Sequence, residues 1–383
     1  MGGVARWLVA VAAVLLALAA AGAPAWAQPP RVTAAGAVLW DPADQRVLYG
    51  RDETVSRPMA STTKIMTTLV ALEAGAGDDE LVVSPGAAAQ QGASLGLAAG
   101  QRIPARSVLA GLMLRSGNDA SQAIAEHVAG SEAAFVGRMN ARAAELGLTG
   151  TQFLNASGLT DDPGHRATPL DLARLAEVAM AHPDIAAWAG AASLTVPGLP
   201  PMTNRNELIG TYPGATGVKT GFTNLSRYSL VGSATRDGRT FYAVVLRSED
   251  SFGDTARLLD HGFGDFRRAE PVQAGAPVTV YRWADAAVTL LADDALGRTV
   301  PADGPAVTWR TVVPPVVDRP VAAGSVLGEA QLLIDGAVER SVPLRAATGV
   351  GEVPEAPAAV RAGAAVQEAL RTFARLHEID RAA

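Results

Sequence analysis

Residues 60–67 read Ala60-Ser61-Thr62-Thr63-Lys64-Ile65-Met66-Thr67, and residues 217–221 read Gly217-Val218-Lys219-Thr220-Gly221. The chain's only two lysines lie in these two stretches; every other basic side chain of this class is arginine. A lysine kept in so arginine-rich a chain is a candidate for work that a guanidinium cannot do, because lysine can lose its proton. Ser61 and Lys64 are three apart, and Ile65, Met66, Leu69, Val70 and Leu72 recur at helical spacing. The stretch therefore predicts a helix starting near Ser61, with both polar side chains on one face. Positive potential at the helix start favours an alkoxide and disfavours an ammonium. A second cation nearby would lower the lysine pKa further. A lysine made neutral in this way can take the serine proton, which is what an activated serine nucleophile requires. The plain alternative is a surface serine and lysine on an ordinary helix. Composition alone gives about 0.1 chance matches to S-x-x-K and about 0.01 to K-T-G, so two lysines falling in both is not a routine coincidence.

Outward from these stretches the chain divides by pattern. Ala37-Val38-Leu39-Trp40 and Val47-Leu48-Tyr49 flank Asp41-Pro42-Ala43-Asp44, a hairpin signal. Residues 106–130, 133–147 and 169–181 carry amphipathic helical spacing, the last behind Thr168-Pro169. From 216 to 246 the period becomes strand-like, with Arg236-Asp237-Gly238-Arg239 as a turn, and 254–263 returns to helix. A hairpin, a helical block, three strands and a closing helix predict an α/β sandwich with an antiparallel sheet over 34–268. Short β runs between Gly/Pro turns, such as Val307-Thr308-Trp309-Arg310 and Leu332-Leu333-Ile334, predict a small all-β domain over 271–350. Trp40 and Trp309 are expected in the cores. Residues 351–383 read as a linker, Pro354-Glu355-Ala356-Pro357, and a helix with Val366, Ala369, Leu370, Phe373, Ala374 and Leu376 on one stripe.

Composition narrows the function classes. The 383 residues are 49% hydrophobic and 18% charged, enough to bury a large core. A net charge of −6 argues against a nucleic-acid partner held by phosphate contacts. The lack of cysteine excludes disulfides, thiolate nucleophiles and thiolate-bound metal. The histidines show no ligand spacing and read as structural or surface, so neither a metal nor a cofactor is expected. Arg6 precedes an apolar run from Leu8 to Ala21, then Pro24 and the small-x-small pattern Ala25-Trp26-Ala27. Residues 1–27 thus read as a secretory signal, the other reading being an uncleaved anchor. The mature chain is expected to be exported, in the periplasm or at the extracytoplasmic face of the cytoplasmic membrane.

Between the two lysine stretches lies Ser116-Gly117-Asn118. Alone, S-x-N is a common turn or cap; its weight comes from its place in the order of motifs. The three together resemble the motif set of penicillin-binding proteins and serine β-lactamases. The closer resemblance is to the low-molecular-mass D-alanyl-D-alanine carboxypeptidases, and it runs on through Asp119-Ala120, Met139-Asn140, Leu146-Gly147, Asn155-Ala156-Ser157-Gly158-Leu159, Thr203-Asn204-Arg205-Asn206 and Phe222-Thr223.

That resemblance implies an α/β (α+β) penicillin-binding/β-lactamase-like transpeptidase fold, with an antiparallel sheet and a helical subdomain, followed by a small all-β domain. It implies a peptidoglycan pentapeptide substrate and reaction in two steps without metal or cofactor. Ser61 would attack the carbonyl between the last two D-alanines with Lys64 as base, and Ser116 would relay a proton to the leaving amine. Asn118 would hold the substrate amide, and Lys219 and Thr220 would meet the terminal carboxylate. Gly221 would let substrate lie along the strand edge, while the backbone N–H groups of Ser61 and Phe222 would hold the oxyanion. β-Lactam antibiotics would acylate the same serine.

Two departures from the family pattern stand out. Many relatives carry an arginine before the phenylalanine that follows the third strand; here Ser251 precedes Phe252, and Arg247 upstream is a poor substitute. Asn224-Leu225-Ser226-Arg227-Tyr228-Ser229 stands where relatives usually have an alanine-glycine pair, which bears on substrate preference. A class A β-lactamase would need a glutamate about 35–40 residues past the S-x-N, where Thr151-Gln152-Phe153-Leu154-Asn155 offers no carboxylate. A D,D-endopeptidase shares the chemistry and stays open. A non-catalytic wall-binding protein would be marked by a lost motif residue, and none is lost. The tail could make peripheral membrane contact, as in the resembled family, or pack on the β domain; four arginines against Glu368, Glu378 and Asp380 leave both open.

Overall fold

The structure, a computed structural model, describes residues 29–283, 286–314 and 320–350. The expected signal segment, linker and tail helix lie outside the described residues. The chain forms two compact units: one runs to Arg268 and includes Arg298–Gly304, the other takes Ala269–Gly297 and the residues from Pro305.

In the first unit β1 (Gly36–Asp41) and β2 (Arg46–Arg51) form the expected hairpin. A short 3-10 turn (Ala60–Thr63) leads into α1 (Lys64–Glu73). The helical block follows as α2 (Ala105–Arg115), α3 (Asn118–Ala129), α4 (Glu132–Glu145), α5 (Pro169–Met180) and α6 (Pro183–Gly190). Strands β3 (Ala215–Thr223), β4 (Arg227–Arg236) and β5 (Arg239–Ser248) precede α7 (Ser251–Asp265). The sheet is antiparallel in the order β2-β1-β5-β4-β3, which leaves β3 at an edge.

All six residues of β1 are buried because both faces of the sheet are covered. Alternate residues go to different cores. Val38 and Trp40 join Val231, Val244 and the helical block, whereas Ala37 and Leu39 join Leu230, Phe241, Val245 and α7 residues Leu258 and Leu259. Trp40 is 1% exposed and its indole N–H donates to Glu177 at 2.7 Å, so its one polar atom is satisfied inside.

The helix expected over 106–130 is two helices. Ser116 sits in the left-handed region at φ 66° and ends α2 by donating its N–H to the Leu112 carbonyl. Asn118 N–H then bonds the Ala93 carbonyl of a distant loop at 2.6 Å, and α3 starts afresh. Hydrophobic periodicity runs across the break and hides it.

In the second unit β6 (Pro277–Trp283), β7 (Ala286–Ala292), β8 (Val307–Val312), β9 (Val326–Ile334) and β10 (Ala337–Ala346) form a sheet in the order β6-β7-β10-β9-β8. Its core includes Val288, Leu290, Ala330, Leu332, Val342 and Leu344. Trp309 is not in that core and is 40% exposed. It pairs with buried Leu332, but β8 is the sheet's edge strand and offers its indole a neighbouring strand on one side only.

Candidate active site

The 3-10 turn presents Ser61, and strand β3 presses against it. Ala60 is left-handed at φ 50°. Thr62 and Thr63 brace the turn from within, donating their hydroxyls to the Met59 and Ala60 carbonyls at 2.7 Å each. The fold keeps Gly221 beside this turn for lack of room: a Cβ there would lie 3.1 Å from the Ser61 nitrogen and 3.2 Å from the Met59 carbonyl.

Lys64 is fully buried, and its Nζ has three neighbours: Ser61 Oγ at 3.0 Å, Asn118 Oδ1 at 2.8 Å and the Ser157 carbonyl at 2.6 Å. The last two accept only. A neutral amine has two N–H donors and one lone pair. With both donors spent on Asn118 and Ser157, the lone pair is left for the Ser61 hydroxyl. Burial is the largest cause lowering the Lys64 pKa well below that of ordinary lysine; the charges of Lys219 and Arg205 add to it and Asp119 opposes.

The partners of Lys64 are themselves held. Asn118 Nδ2 donates to the Gln91 carbonyl at 2.7 Å, which sets the direction of its amide. The Ser157 carbonyl sits in a loop pinned from three sides. Asn155 Oδ1 accepts the N–H groups of Ser157 and Gly158, Glu132 accepts the Ala156 N–H, and Thr67 donates to the Ala156 carbonyl. Buried Asp119 accepts the N–H groups of Leu95, Gly96 and Leu97, and so fixes the loop whose Gly92 and Ala93 line the cleft. His165, also buried, accepts the Leu154 N–H at Nδ1, which leaves Nε2–H to donate to Thr63 Oγ1 at 2.7 Å. Burial is the first cause lowering its pKa to about 4, so it is neutral in this network near pH 7.

The cleft measures about 580 Å³ and is lined by Ser61, Ser116, Asn118, Thr220, Gly221 and Phe222 among others. Six of the eight residues expected from sequence thus share one cavity. Lys64 and Lys219 stand behind its wall. Lys219 Nζ donates to the Thr220 carbonyl at 3.1 Å, and burial, then Arg205, lowers its pKa to about 7. The Ser116 hydroxyl has no hydrogen-bond partner among the described residues; it faces the cleft and is not bonded to Lys64.

Arg205 and Arg115, both lining the cleft, had no role in the sequence reading. Arg205 lies in the stretch Thr203–Asn206, which is tied down by the Arg205 N–H to the Leu114 carbonyl and by Asn204 Nδ2 to the Ala189 and Ala191 carbonyls. Arg205 lines the cleft together with Arg115, and burial, then the Arg115 charge, lowers its pKa. Neither arginine has a carboxylate partner among the described residues, and Glu207 is the only acid lining the cleft. Ser251 and Phe252 also line it, so the position without the expected arginine faces the same space. No cluster of three or more metal-ligating side chains occurs among the described residues.

Comparison with known proteins gives a single direction. A family model described as D-alanyl-D-alanine carboxypeptidase matches residues 23–250. The chain is 38% identical over 229 residues to D-alanyl-D-alanine carboxypeptidase DacB2 of Mycobacterium tuberculosis, covering 57% of this chain and 78% of that one. It is 32% identical over 338 residues to DacC of Escherichia coli, covering 82% and 84%. Among solved structures, penicillin binding protein 5 from Haemophilus influenzae superposes with a TM-score of 0.70 at 27% identity, over 85% of this chain and 99% of that one.

Proposed function

This chain belongs to the D-alanyl-D-alanine carboxypeptidase family, and we propose that it removes the terminal D-alanine from peptidoglycan stem peptides through an acyl-enzyme on Ser61. The observation that carries this reading is the buried Lys64 amine, 3.0 Å from Ser61 Oγ, with two acceptor-only partners on its other sides.

In this reading neutral Lys64 takes the Ser61 proton as Oγ attacks the carbonyl between the two D-alanines. The N–H groups of Ser61 and Phe222 take the oxyanion. The intermediate collapses, the C–N bond breaks, and the proton passes from Lys64 by way of Ser116 to the departing amine. Water then attacks the ester and gives its proton to Lys64, which returns it to Ser61 Oγ as the acyl C–O bond breaks, so the free serine and the neutral amine are restored. Asn118 serves first as the orienter of Lys64, and its part in holding the substrate amide is shared with the edge of β3. Thr220 and Lys219 attract the carboxylate, and Arg205 with Arg115 provides the cationic charge that position 251 lacks.

Incubation with an acyl-D-Ala-D-Ala peptide should release D-alanine, and incubation with benzylpenicillin should add its mass at Ser61; Ser61→Ala should do neither. A folded wild type that does neither overturns the reading, and rapid penicillin turnover would favour a β-lactamase instead. The apolar segment 8–21 and the Ala25-Trp26-Ala27 site support export, so the enzyme would work outside the cytoplasmic membrane. No helix among the described residues is long and apolar enough to cross a membrane.

Two further outcomes are expected. Arg205→Gln should raise KM for the peptide acid about tenfold to a hundredfold, the worth of a charge-assisted hydrogen bond, with a smaller change in kcat. The same variant should not alter the KM of a peptide ending in D-alaninamide; an equal rise for both would remove Arg205 from carboxylate binding. The pH dependence of kcat/KM should be bell-shaped, since it reports groups of the free enzyme. It rises with pH as Lys64 loses its proton, and falls above about 7 as Lys219 loses the charge that attracts the carboxylate. In kcat the alkaline limb should move higher, because bound carboxylate favours charged Lys219. A kcat/KM that keeps climbing through pH 9 would contradict this assignment.

A further inference from the structure

We infer that His165 and Thr63 form a directed hydrogen-bond chain that strengthens the Ser61 N–H as an oxyanion donor, acting from behind the turn as positioning residues. The inference rests on the carboxypeptidase reading above, which gives that N–H its role. It begins from one peptide unit. The Ala60 carbonyl and the Ser61 N–H belong to the same planar, trans amide, so they point in opposite directions. The carbonyl points into the protein, where the Thr63 hydroxyl donates to it at 2.7 Å. The nitrogen faces β3, 3.1 Å from the place a Cβ of residue 221 would take. Ser61 stands in the first turn of its helix, so its N–H has no acceptor within that helix.

Each bond behind that carbonyl has one permitted direction. The Leu154 N–H can only donate, so His165 Nδ1 accepts it at 3.0 Å, and the neutral ring carries its hydrogen on Nε2. Nε2–H donates to Thr63 Oγ1 at 2.7 Å. The single Thr63 hydroxyl hydrogen is then left for the Ala60 carbonyl, which accepts only. Both side chains are buried, away from competing solvent. Phe153 stands edge-on to the His165 ring with centroids 6.1 Å apart, a contact that an apolar ring also makes. What an apolar ring cannot do is donate.

Hydrogen bonds in such a chain polarise one another. A donor on the Ala60 oxygen draws electron density across the amide and leaves the Ser61 N–H more positive. The gain is largest when negative charge develops on the scissile oxygen, so it belongs to the transition state rather than to substrate binding. The same chain holds the plane of an amide that follows a left-handed Ala60, φ 50°.

The test measures the rate of Ser61 acylation by benzylpenicillin and the infrared carbonyl band of the acyl-enzyme, with the antibiotic isotopically labelled at its β-lactam carbonyl. Thr63→Val should slow acylation about threefold to tenfold, a fraction of the roughly 10²–10³-fold lost when an oxyanion donor is removed outright. It should also move the ester band to higher wavenumber, where a more weakly hydrogen-bonded carbonyl absorbs. Thr63→Ser should keep both at wild-type values. Valine keeps the methyl and loses the hydroxyl, serine the reverse, so a role in packing alone predicts the opposite order. His165→Phe should match Thr63→Val, His165→Gln should retain most of the rate by keeping a donor, and the double variant Thr63→Val/His165→Phe should lose no more than about twofold beyond Thr63→Val, since both break one chain. With an acyl-D-Ala-D-Ala peptide the loss should fall on kcat and leave KM unchanged. If Thr63→Val does not fold, the two His165 variants carry the comparison. A wild-type rate and band in Thr63→Val, or a loss in Thr63→Ser as large as in Thr63→Val, overturns the inference and leaves the carboxypeptidase reading intact. A folded wild type that releases no D-alanine and forms no adduct overturns both.

Discussion

Lys64→Arg is expected to lower the rate of Ser61 acylation by about 10⁴-fold, the upper range for loss of a general base. Arginine retains the charge, the length and the donors, so a role for Lys64 as a cation alone would survive the change. It cannot survive if the lone pair is what matters, because a guanidinium keeps its proton at any pH the fold tolerates. The surroundings sharpen the expectation. Lys64 is fully buried, so bulk solvent screens a fixed charge there poorly, and the charges of Lys219 and Arg205 oppose it. A guanidinium there would donate to Asn118 Oδ1, to the Ser157 carbonyl and to Ser61 Oγ alike. That holds the serine as an acceptor, the reverse of what attack requires. Stopped-flow acylation by a fluorescent penicillin measures the effect, with Lys64→Ala as a smaller companion that leaves the cavity unstrained. A Lys64→Arg rate within tenfold of wild type would refute the neutral-amine mechanism.

Gly158→Ala is expected to destabilise the first unit by about 3 kcal/mol or more, from overpacking and a left-handed alanine together. Gly158 has φ +80°, and a Cβ there would lie 1.9 Å from the Ala60 carbonyl oxygen and 2.7 Å from Thr63 Oγ1. Neither neighbour is the free end of a long side chain; one is backbone and the other is bonded to His165. Ala60 must move, and Ser61 moves with it, so activity should fall further than stability alone explains. The control is Gly130→Ala. Gly130 has φ +75° and no atom within 4 Å of the added Cβ, so it should lose only about 1 kcal/mol of conformational cost. Thermal unfolding of both variants, with D-alanine release measured well below each midpoint, separates the effects. Equal losses in the two would show that backbone conformation, not the approach to Ala60, makes Gly158 necessary.

The network behind Ser61 explains why so short a motif needs so much chain. A serine three residues before a lysine is a local arrangement, and one helical turn supplies it. Lowering the pKa of that lysine is not local. It takes the Asn118 amide from α3, a carbonyl from the 155–158 loop, the charges on β3 and at Arg205, and enough packing to exclude water. Asp119 and His165 add no reacting atom. They hold, respectively, the loop over the cleft and the turn beneath the nucleophile.

Sequence alone determined the local and periodic features of this protein. The hairpin, the helix behind Ser61, the three antiparallel strands and the change to β structure after Arg268 all follow from side-chain period and turn residues, which act over a few positions. The serine–lysine pair was legible because i and i+3 share a helix face whatever surrounds them. Tertiary structure decided what depends on distant partners. It split one apparent helix at Ser116, left Trp309 at an open sheet edge, and brought Arg205 to the cleft although nothing in its spacing to Ser61 announces it. Above all it set the surroundings that lower the Lys64 pKa. A pKa is set by burial and by neighbouring dipoles and charges, and the carbonyl of Ser157, being backbone, has no letter of its own in the sequence.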